Sequence, residues 1–469
     1  MTRLFGQSRR ALSFLSFNSH VMAFTFKKEV VSSRARILSI GMTEKKHIVV
    51  LGAGFGGLAF AKDFKHAGTR ITIVDRQNHH LFQPLLYQVA TGGLALPEIA
   101  EPVRAIFTKR ADITVLMDSV ETIDVEKKQV NLVSQTLDYD YLVVALGMVN
   151  SYFGNNGWAK HTIGLKTLSE ARRIRTKVLH AFEQAEITEN RKERERLMTV
   201  VVIGGGPTGV EMAGAMSELT KRVFEKDFRS IQPKQSRVIL IEASDRVLPT
   251  YSGESSEKAR LSLIKLGVEL HLGCPVQSIN AGVIEFEGGR IEAESIIWTA
   301  GVAANPLTKQ LPVECDRRGR VMVAPDISLP GYEEVFVVGD IANLTDPKGQ
   351  QVPGVSPAAM QMGKYVAKLI KREIDGKVGP RKPFTYKDKG AMATIGRSSA
   401  VAEIGKFKFS GFPAWFLWLA VHLVFLVGFR NRVAVLIQWT YAYLKFRPGA
   451  RVFEKPDFPE PKPVEIEAS

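Results

Sequence analysis

IVVLGAGFGGLAF, residues 48–60, is the stretch on which the fold turns. A continuous apolar strand runs into Gly52, Gly54 and Gly57 and out into a helix. Glycines in this pattern let the chain turn tightly, let the backbone approach a pyrophosphate and seat the helix close against the strand. The pyrophosphate then lies on the helix N-terminus. A second apolar strand, ITIVD at 71–75, ends in Asp75, an acid suited to accept hydrogen bonds from an adenosine ribose. The pattern returns at 201–214 as VVIGGGPTGVEMAG, with Gly204, Gly206 and Gly209, followed by VILIE ending at Glu242. One such unit is a weak signal. Two complete units point to two dinucleotides, and the usual reason to hold two is to pass electrons between them.

The 469 residues suffice for two or three domains with sizeable cores. The net charge of +15 favours anionic partners, nucleic acid or acidic lipid. Cys274 and Cys315 are the only cysteines and form no C-x-x-C pair, which argues against a disulfide framework, a cysteine zinc site, an iron–sulfur cluster or a dithiol electron acceptor. Residues 1–41 carry seven Lys or Arg against one acid, Glu29. Three readings stand for them: a targeting peptide of mitochondrial type, a basic tail, or sequence upstream of a true start at Met42. In each case residues 1–43 are set apart from the fold.

Between the two units lie a loop, NHHLFQPLLYQVATGG at 78–93, suited to the wall of a ring-binding site, and an apolar strand, DYDYLVVALG at 138–147. His79 and His80, with no third ligand nearby, read as surface or packing residues. Acids interleave with bases over 166–197, which favours a solvated helix pair over a nucleic-acid surface. After the second unit come a helix at 254–266, strands near 268–272 and 283–296, and IIWTAGVAANP. VFVVGD, ending at Asp340, then reads as a return to the first sheet, followed by a helix, PAAMQMGKYVAKLIKREI. Residues 384–400 read as strand-rich.

The chain changes character at GFPAWFLWLAVHLVFLVGF, 411–429, followed by VAVLIQWTYAYL at 433–444. The first run is nearly long enough to span a bilayer and the second is too short. Lys406, Lys408, Arg430, Arg432, Lys445, Arg447 and Arg451 flank them, and Trp415, Trp418, Trp439, Tyr441 and Tyr443 are headgroup-level residue types. Helices lying in one leaflet are expected. Each basic residue near an anionic surface adds about 1 kcal/mol, and each large buried apolar side chain about 1.5–3 kcal/mol.

In the order LGAGFGGL, HHLFQPLLYQVATG, VVIGGGPTGVEMAG, VGD with its A-x-M-Q helix, and a lipid-seeking C-terminus, the chain resembles the type II NADH dehydrogenases, single-subunit NADH:quinone oxidoreductases that pump no protons. The resemblance covers about 45–450. It implies an α/β fold of two Rossmann-like domains, the FAD domain split by an inserted NADH domain, with an amphipathic membrane-anchoring helical region. The expected boundaries are 44–155 and 323–383 for FAD, 156–322 for NADH, 384–455 for the membrane region and 456–469 for a tail. FAD falls to Gly52, Gly54, Gly57, Asp75 and Asp340, and NADH to Gly204, Gly206, Gly209 and Glu242; Gly147 and Gly301 join the cofactor-binding set. Glu242 also disfavours a 2′-phosphate, tempered slightly by Arg246, so NADH is expected over NADPH.

The resemblance further implies that Glu211 faces the flavin and nicotinamide, where a carboxylate orders the nicotinamide or relays protons; the plain alternative is a helix N-terminal acid favoured by the dipole. Gln361 matches the second glutamine of the family's quinone motif, A-Q-x-A-x-Q, whereas Pro357 stands where the first is found. Leu146 replaces a common threonine, read as a packing change. The implied reaction passes a hydride from NADH to FAD, then two electrons to a membrane quinone. The implied partners are NADH, quinone, a bilayer surface through 411–447 and a second copy of the chain, with no nucleic acid and no metal. The implied location is the cytoplasmic face of a cell inner membrane, or a mitochondrial inner membrane if 1–41 is a transit peptide. Two other enzymes share the layout: a sulfide:quinone oxidoreductase, which needs reactive cysteines near the flavin, and a ferredoxin-reductase-like enzyme, which needs no lipid-seeking tail. A third reading is an NADH-responsive interaction flavoprotein with negligible turnover.

Overall fold

Two sheets, parallel but for one edge strand, organise the residues described by the computed structural model, which are 45–377, 379–445 and 450–453. The expectations for residues 1–43, Arg447 and 456–469 lie outside them. The first sheet begins with β1 (Lys46–Leu51), α1 (Phe55–Asp63) and β2 (Thr69–Asp75). A loop region with a short helix, α2 (Leu86–Ala90), leads to β3 (Ile113–Met117) and β4 (Tyr141–Val144). β1 pairs in parallel with β2 on one side and β4 on the other. Ile48, Val49, Val50, Leu51, Ile73 and Val143 have almost no exposed surface, as expected for parallel strands covered on both faces.

The second sheet follows α3 (Leu168–Ile187). It comprises β5 (Thr199–Ile203), α4 (Pro207–Glu218), β6 (Arg237–Glu242), α5 (Gly253–Lys265), β7 (Val268–Leu272) and β8 (Ser295–Trp298). Its order is Ile163–Gly164, β8, β5, β6, β7, with every pair parallel. One face packs on α3 and α4. An antiparallel meander over 276–292 covers the other, with Ile279, Ile284 and Phe286 on Val201, Ile239 and Trp298. The solvated reading of α3 is therefore corrected. Ala171, Ile174, Val178, Phe182 and Ala185 form a buried stripe at helical spacing, and a Thr167–Glu170 capping box starts the helix.

The chain then re-enters the first sheet. β9 (Tyr332–Val337) pairs in parallel with β4, giving the order β9, β4, β1, β2, β3, and Ser328–Leu329 adds an antiparallel edge. α6 (Ser356–Ile374) crosses α1 backbone on backbone: a Cβ at Gly363 would lie 2.3 Å from the Gly56 carbonyl oxygen. That contact brings the start of α6 beside the first glycine turn.

Three antiparallel strands follow, β10 (Ala391–Thr394), β11 (Ala400–Ile404) and β12 (Phe407–Ser410), then α7 (Gly411–Phe425) and α8 (Phe429–Lys445). The expected strand over 384–400 starts only at Ala391, because Lys387 pairs its backbone with the Gln361 side chain rather than with a ladder. A Cβ at Gly214 would lie 2.8 Å from the Gly396 nitrogen, so α4 sits directly against the turn after β10. α7 departs from the amphipathic expectation, since it is apolar on both faces. Ala414 and Trp418 are buried, while Phe412, Phe416, Val424 and Phe425 are exposed. Among the described residues no helix is long and apolar enough to cross a membrane.

Candidate functional site

The two glycine turns repeat one geometry. Gly52 has φ +102° and Gly204 φ +108°, left-handed values that favour glycine. A Cβ at Gly52 would sit 2.4 Å from the Ala145 oxygen, and one at Gly204 2.5 Å from Ala300 Cα. At the third glycine the helix is pressed onto its own turn: a Cβ at Gly57 would lie 2.0 Å from the Gly52 oxygen, and at Gly209 1.8 Å from the Gly204 oxygen. The middle glycines differ. A Cβ at Gly54 or Gly206 would meet no protein atom within 4 Å. The fold itself does not require glycine there, and each position leaves the helix N-terminus open to an anionic group. Both turns therefore fit a pyrophosphate.

The acids secure the turns. Asp75 Oδ2 accepts from Ala53 N at 2.7 Å and its Oδ1 from Gln77 N at 2.7 Å. Glu242 repeats this, accepting from Gly205 N and, at 2.7 Å, from Ser244 N. Arg246 is committed to the Pro249 carbonyl at 3.0 Å. His80, in the loop read as a ring-site wall, is buried and bonds the Ala53 carbonyl through Nδ1 at 2.8 Å. Ala53 is thus held at both its N–H and its C=O. Burial pushes His80 down to about 4, so it stays neutral at physiological pH.

At the end of β9, Asp340 is flanked by Gly339 and faces Lys166, just ahead of α3. Burial raises the Asp340 carboxyl and lowers the Lys166 ammonium, and each opposes the shift of the other. Sequence reasoning missed Lys166; its signal was a lysine immediately before a T-x-x-E cap. Gly147 and Gly301 precede two short strands, Met148–Asn150 and Val302–Ala304, that pair antiparallel. Gly147 is open around its Cβ position. Gly301 has a packing reason of its own, since its Cβ would meet the Phe153 ring at 2.6 Å. Pro357 occupies the first turn of α6, where a missing N–H costs nothing. Gln361 donates to the Lys387 carbonyl at 2.9 Å and accepts from its N–H at 3.0 Å.

Glu211 is buried in α4, and burial pushes it up to about 8, partly offset by Thr394 N–H, which donates to Oε1 at 3.3 Å, and by the Trp418 indole. Tyr87 packs beside it. The phenol hydroxyl bonds Thr394 Oγ1 at 3.0 Å and accepts from Gln88 Nε2 at 3.0 Å, while Gln88 Oε1 accepts from Trp439 Nε1 on α8 at 2.7 Å. Tyr87 and Trp418 also line a cavity of ≈ 630 Å³ walled chiefly by α4, α7 and α8, with Gln88, Glu218 and Arg397 as its polar edge. A buried neutral carboxyl, an oriented phenol and an apolar chamber between helices form a setting for proton handling beside a lipid-soluble reactant. Neither Cys274 nor Cys315, both free, lines this cavity.

Residues 46–363 match the family model described as pyridine nucleotide-disulphide oxidoreductase, and 389–448 match the NDH2 C-terminal domain. The chain is 44% identical over 419 residues to the type II NADH:quinone oxidoreductase Ndh of Mycobacterium tuberculosis, covering 86% of this chain and 89% of that one. It is 28% identical over 385 residues to the type II NADH:quinone oxidoreductase of Staphylococcus aureus, covering 80% and 93%. In fold it is similar to NDH2 from Plasmodium falciparum solved with NADH, with a TM-score of 0.80 at 19% identity over 88% of this chain and 100% of that one. The sulfide:quinone oxidoreductase of Aquifex aeolicus is less similar, at 0.65 over 87% and 96%. The chain belongs to the type II NADH:quinone oxidoreductases, membrane-associated flavoenzymes that oxidise NADH and reduce a quinone.

Proposed function

We propose that the turn at Gly52, Gly54 and Gly57, with Asp75 and Asp340, holds FAD as a resident group, and that the turn at Gly204, Gly206 and Gly209, with Glu242, takes NADH in exchange. On this reading the FAD domain comprises 44–155 and 323–383, with the NADH domain, 156–322, inserted between β4 and β9. The observation that carries the assignment is the pair of middle glycines, each open on its protein side beside a helix N-terminus. Bound FAD supplies an isoalloxazine that accepts two electrons from NADH and releases them to quinone. The polypeptide's part is positioning and electrostatics. The amides opening α1 and α4 neutralise the pyrophosphates. Asp75 and Glu242 each brace a turn and present acceptors to a ribose. Glu242 disfavours a third phosphate. The start of α6 has no side-chain cap, and its helix dipole favours negative charge developing near it. Gln361 fixes the segment before β10 rather than standing alone as a quinone ligand.

The quinone, on this proposal, enters through the cavity between α4, α7 and α8. The outer faces of those last two helices support a leaflet-bound arrangement: Phe416 is 63% exposed, Val424 65% and Ile437 62%. β12 extends this surface beyond the segment foreseen from sequence. Phe407, 71% exposed, and Phe409 stack with centroids 6.5 Å apart, while Lys408 between them turns to Glu254 on α5. The location is a cell inner membrane, on its cytoplasmic face. On this proposal electron transfer is not coupled to proton pumping, as the resemblance to the type II enzymes implies.

The test is purification in detergent followed by absorbance spectra under anaerobic conditions. A yellow protein that bleaches with NADH and recovers with a soluble quinone analogue supports the reading; a protein that stays coloured with NADH overturns it. Truncation before residue 405 should move the chain from the membrane pellet to the supernatant, and unchanged sedimentation would remove the attachment claim.

A further inference from the structure

Glu211 has a counterpart that the quinone reading leaves unused. Glu218 ends α4 seven residues on, two turns along the same face. Its Oε1 accepts from Arg397 N at 3.1 Å, and it shares the cavity wall with Tyr87 and Gln88. The next five residues, Leu219–Val223, wind as a π turn, a feature frequent at functional sites. Arg222, on that turn and exposed to solvent, acts electrostatically on Glu218. The Tyr87 hydroxyl feels the charge of both glutamates.

The direction of the hydrogen bonds between them is fixed from the membrane side. An indole N–H only donates, so the Gln88 atom facing Trp439 is the oxygen. The amide N–H of Gln88 therefore donates to the Tyr87 oxygen. That leaves the phenolic proton to donate to Thr394 Oγ1, and the threonine proton free to turn toward Glu211, which already accepts from the Thr394 N–H.

We propose that Glu218 is the outer proton-loading residue for quinone reduction, feeding Glu211 through the hydroxyls of Tyr87 and Thr394, with water at the cavity wall closing the gaps, and that Trp439 sets the polarity of this line through Gln88. The proposal rests on the quinone reading above. The reaction balances as NADH plus one proton plus quinone giving NAD⁺ and quinol. The hydride carries both electrons and one proton's worth of hydrogen, and the line delivers the one remaining proton. Each hydroxyl passes on its proton and receives another, and Glu218 is recharged from water at the Arg222 edge. Burial raises Glu218 and Glu211 from the ordinary carboxyl range, so both hold a proton near neutrality more readily than a surface carboxyl. The ionisable groups facing Glu218 are Arg222, Arg397 and Tyr87, and those facing Glu211 are Tyr87 and Tyr251.

The test separates the half-reactions of the full-length, flavin-loaded enzyme in stopped flow from pH 5 to pH 9. The expected result for Glu218→Gln is reoxidation by a soluble quinone slowed more than tenfold with a flattened pH profile, while bleaching by NADH changes less than twofold. Glu218→Asp restores part of the loss, and Trp439→Phe gives a smaller loss with an enlarged solvent deuterium effect. Infrared titration of the resting enzyme gives a readout independent of turnover, in which Glu218→Gln lacks one protonated-carboxyl band. If Glu218→Gln loses its flavin, Tyr87→Phe takes its place with the same expected split. Wild-type reoxidation rates and pH profile in these variants overturn the proposal, as does an equal loss in both half-reactions. A wild-type enzyme that quinone does not reoxidise instead sinks the underlying quinone reading.

Discussion

At Gly52–Gly57 and at Gly204–Gly209 the backbone does the same three things, yet the two turns are housed differently. Beyond the first, Phe55 is half-buried and Gly56 buried, with α6 pressed on α1 and His80 gripping Ala53. Beyond the second, Pro207 and Thr208 are exposed, and α4 spends its buried side, Glu211 included, on β10. A covered turn suits a group that stays, and an open one suits a substrate that must leave every cycle. The lesson is that one local motif serves residence or exchange according to what packs over it.

The comparison breaks most visibly at the third glycines. Gly57→Ala and Gly209→Ala each force a Cβ onto a carbonyl oxygen and should cost about 3 kcal/mol or more in chemical denaturation. The first should shed flavin, and the second should keep it. The middle glycines sharpen the contrast. Gly54→Ala and Gly206→Ala should unfold within about 0.5 kcal/mol of the wild type, because no protein atom is near. Gly54→Ala should lower flavin content after gel filtration, while Gly206→Ala should raise the KM for NADH about tenfold, the equivalent of 1.4 kcal/mol. Equal effects of both on flavin content would erase the distinction between the sites.

Smaller effects test the acids. Glu242→Gln should shift the NADPH to NADH ratio of kcat/KM toward NADPH by up to about tenfold. Glu211 should make stability depend on pH. Its folded value of about 8 lies above the ordinary 4.5, so between these values the folded chain keeps a proton that the unfolded chain has released. Stability therefore falls as pH rises from about 4.5 through 8 and levels off above. In Glu211→Gln that slope is absent, so its Tm should gain a few degrees on the wild type between pH 5 and 8. Parallel Tm curves would mean that Glu211 ionises normally.

What could be read in advance was local in sequence. Strand, glycine turn, helix and acid run over residues 46–75 in the first unit and 199–242 in the second, short enough for the glycine spacing to be read directly. β9 was legible because a buried strand ending in Gly339-Asp340 is itself a short, apolar signal. The chamber was not legible, because its bonds join distant places: Tyr87 to Thr394 across 307 positions and Gln88 to Trp439 across 351. No periodicity announces such pairs. The role of His80 was hidden for a similar reason, since its partner is a backbone carbonyl, which any residue type provides. The buried stripe of α3 was present at helical spacing but was outweighed by the charges around it. α7 shows a different limit: a helix apolar on every side does not reveal which side meets protein and which meets lipid.

The most direct measurement is an anaerobic NADH titration of flavin absorbance in the wild type, Gly54→Ala and Gly206→Ala, purified side by side. Stoichiometric flavin in the wild type and Gly206→Ala, with Gly206→Ala alone needing about tenfold more NADH to bleach, is the expected result, alongside flavin-poor Gly54→Ala. Flavin lost from Gly206→Ala and retained in Gly54→Ala would contradict the assignment of the resident group to the first turn.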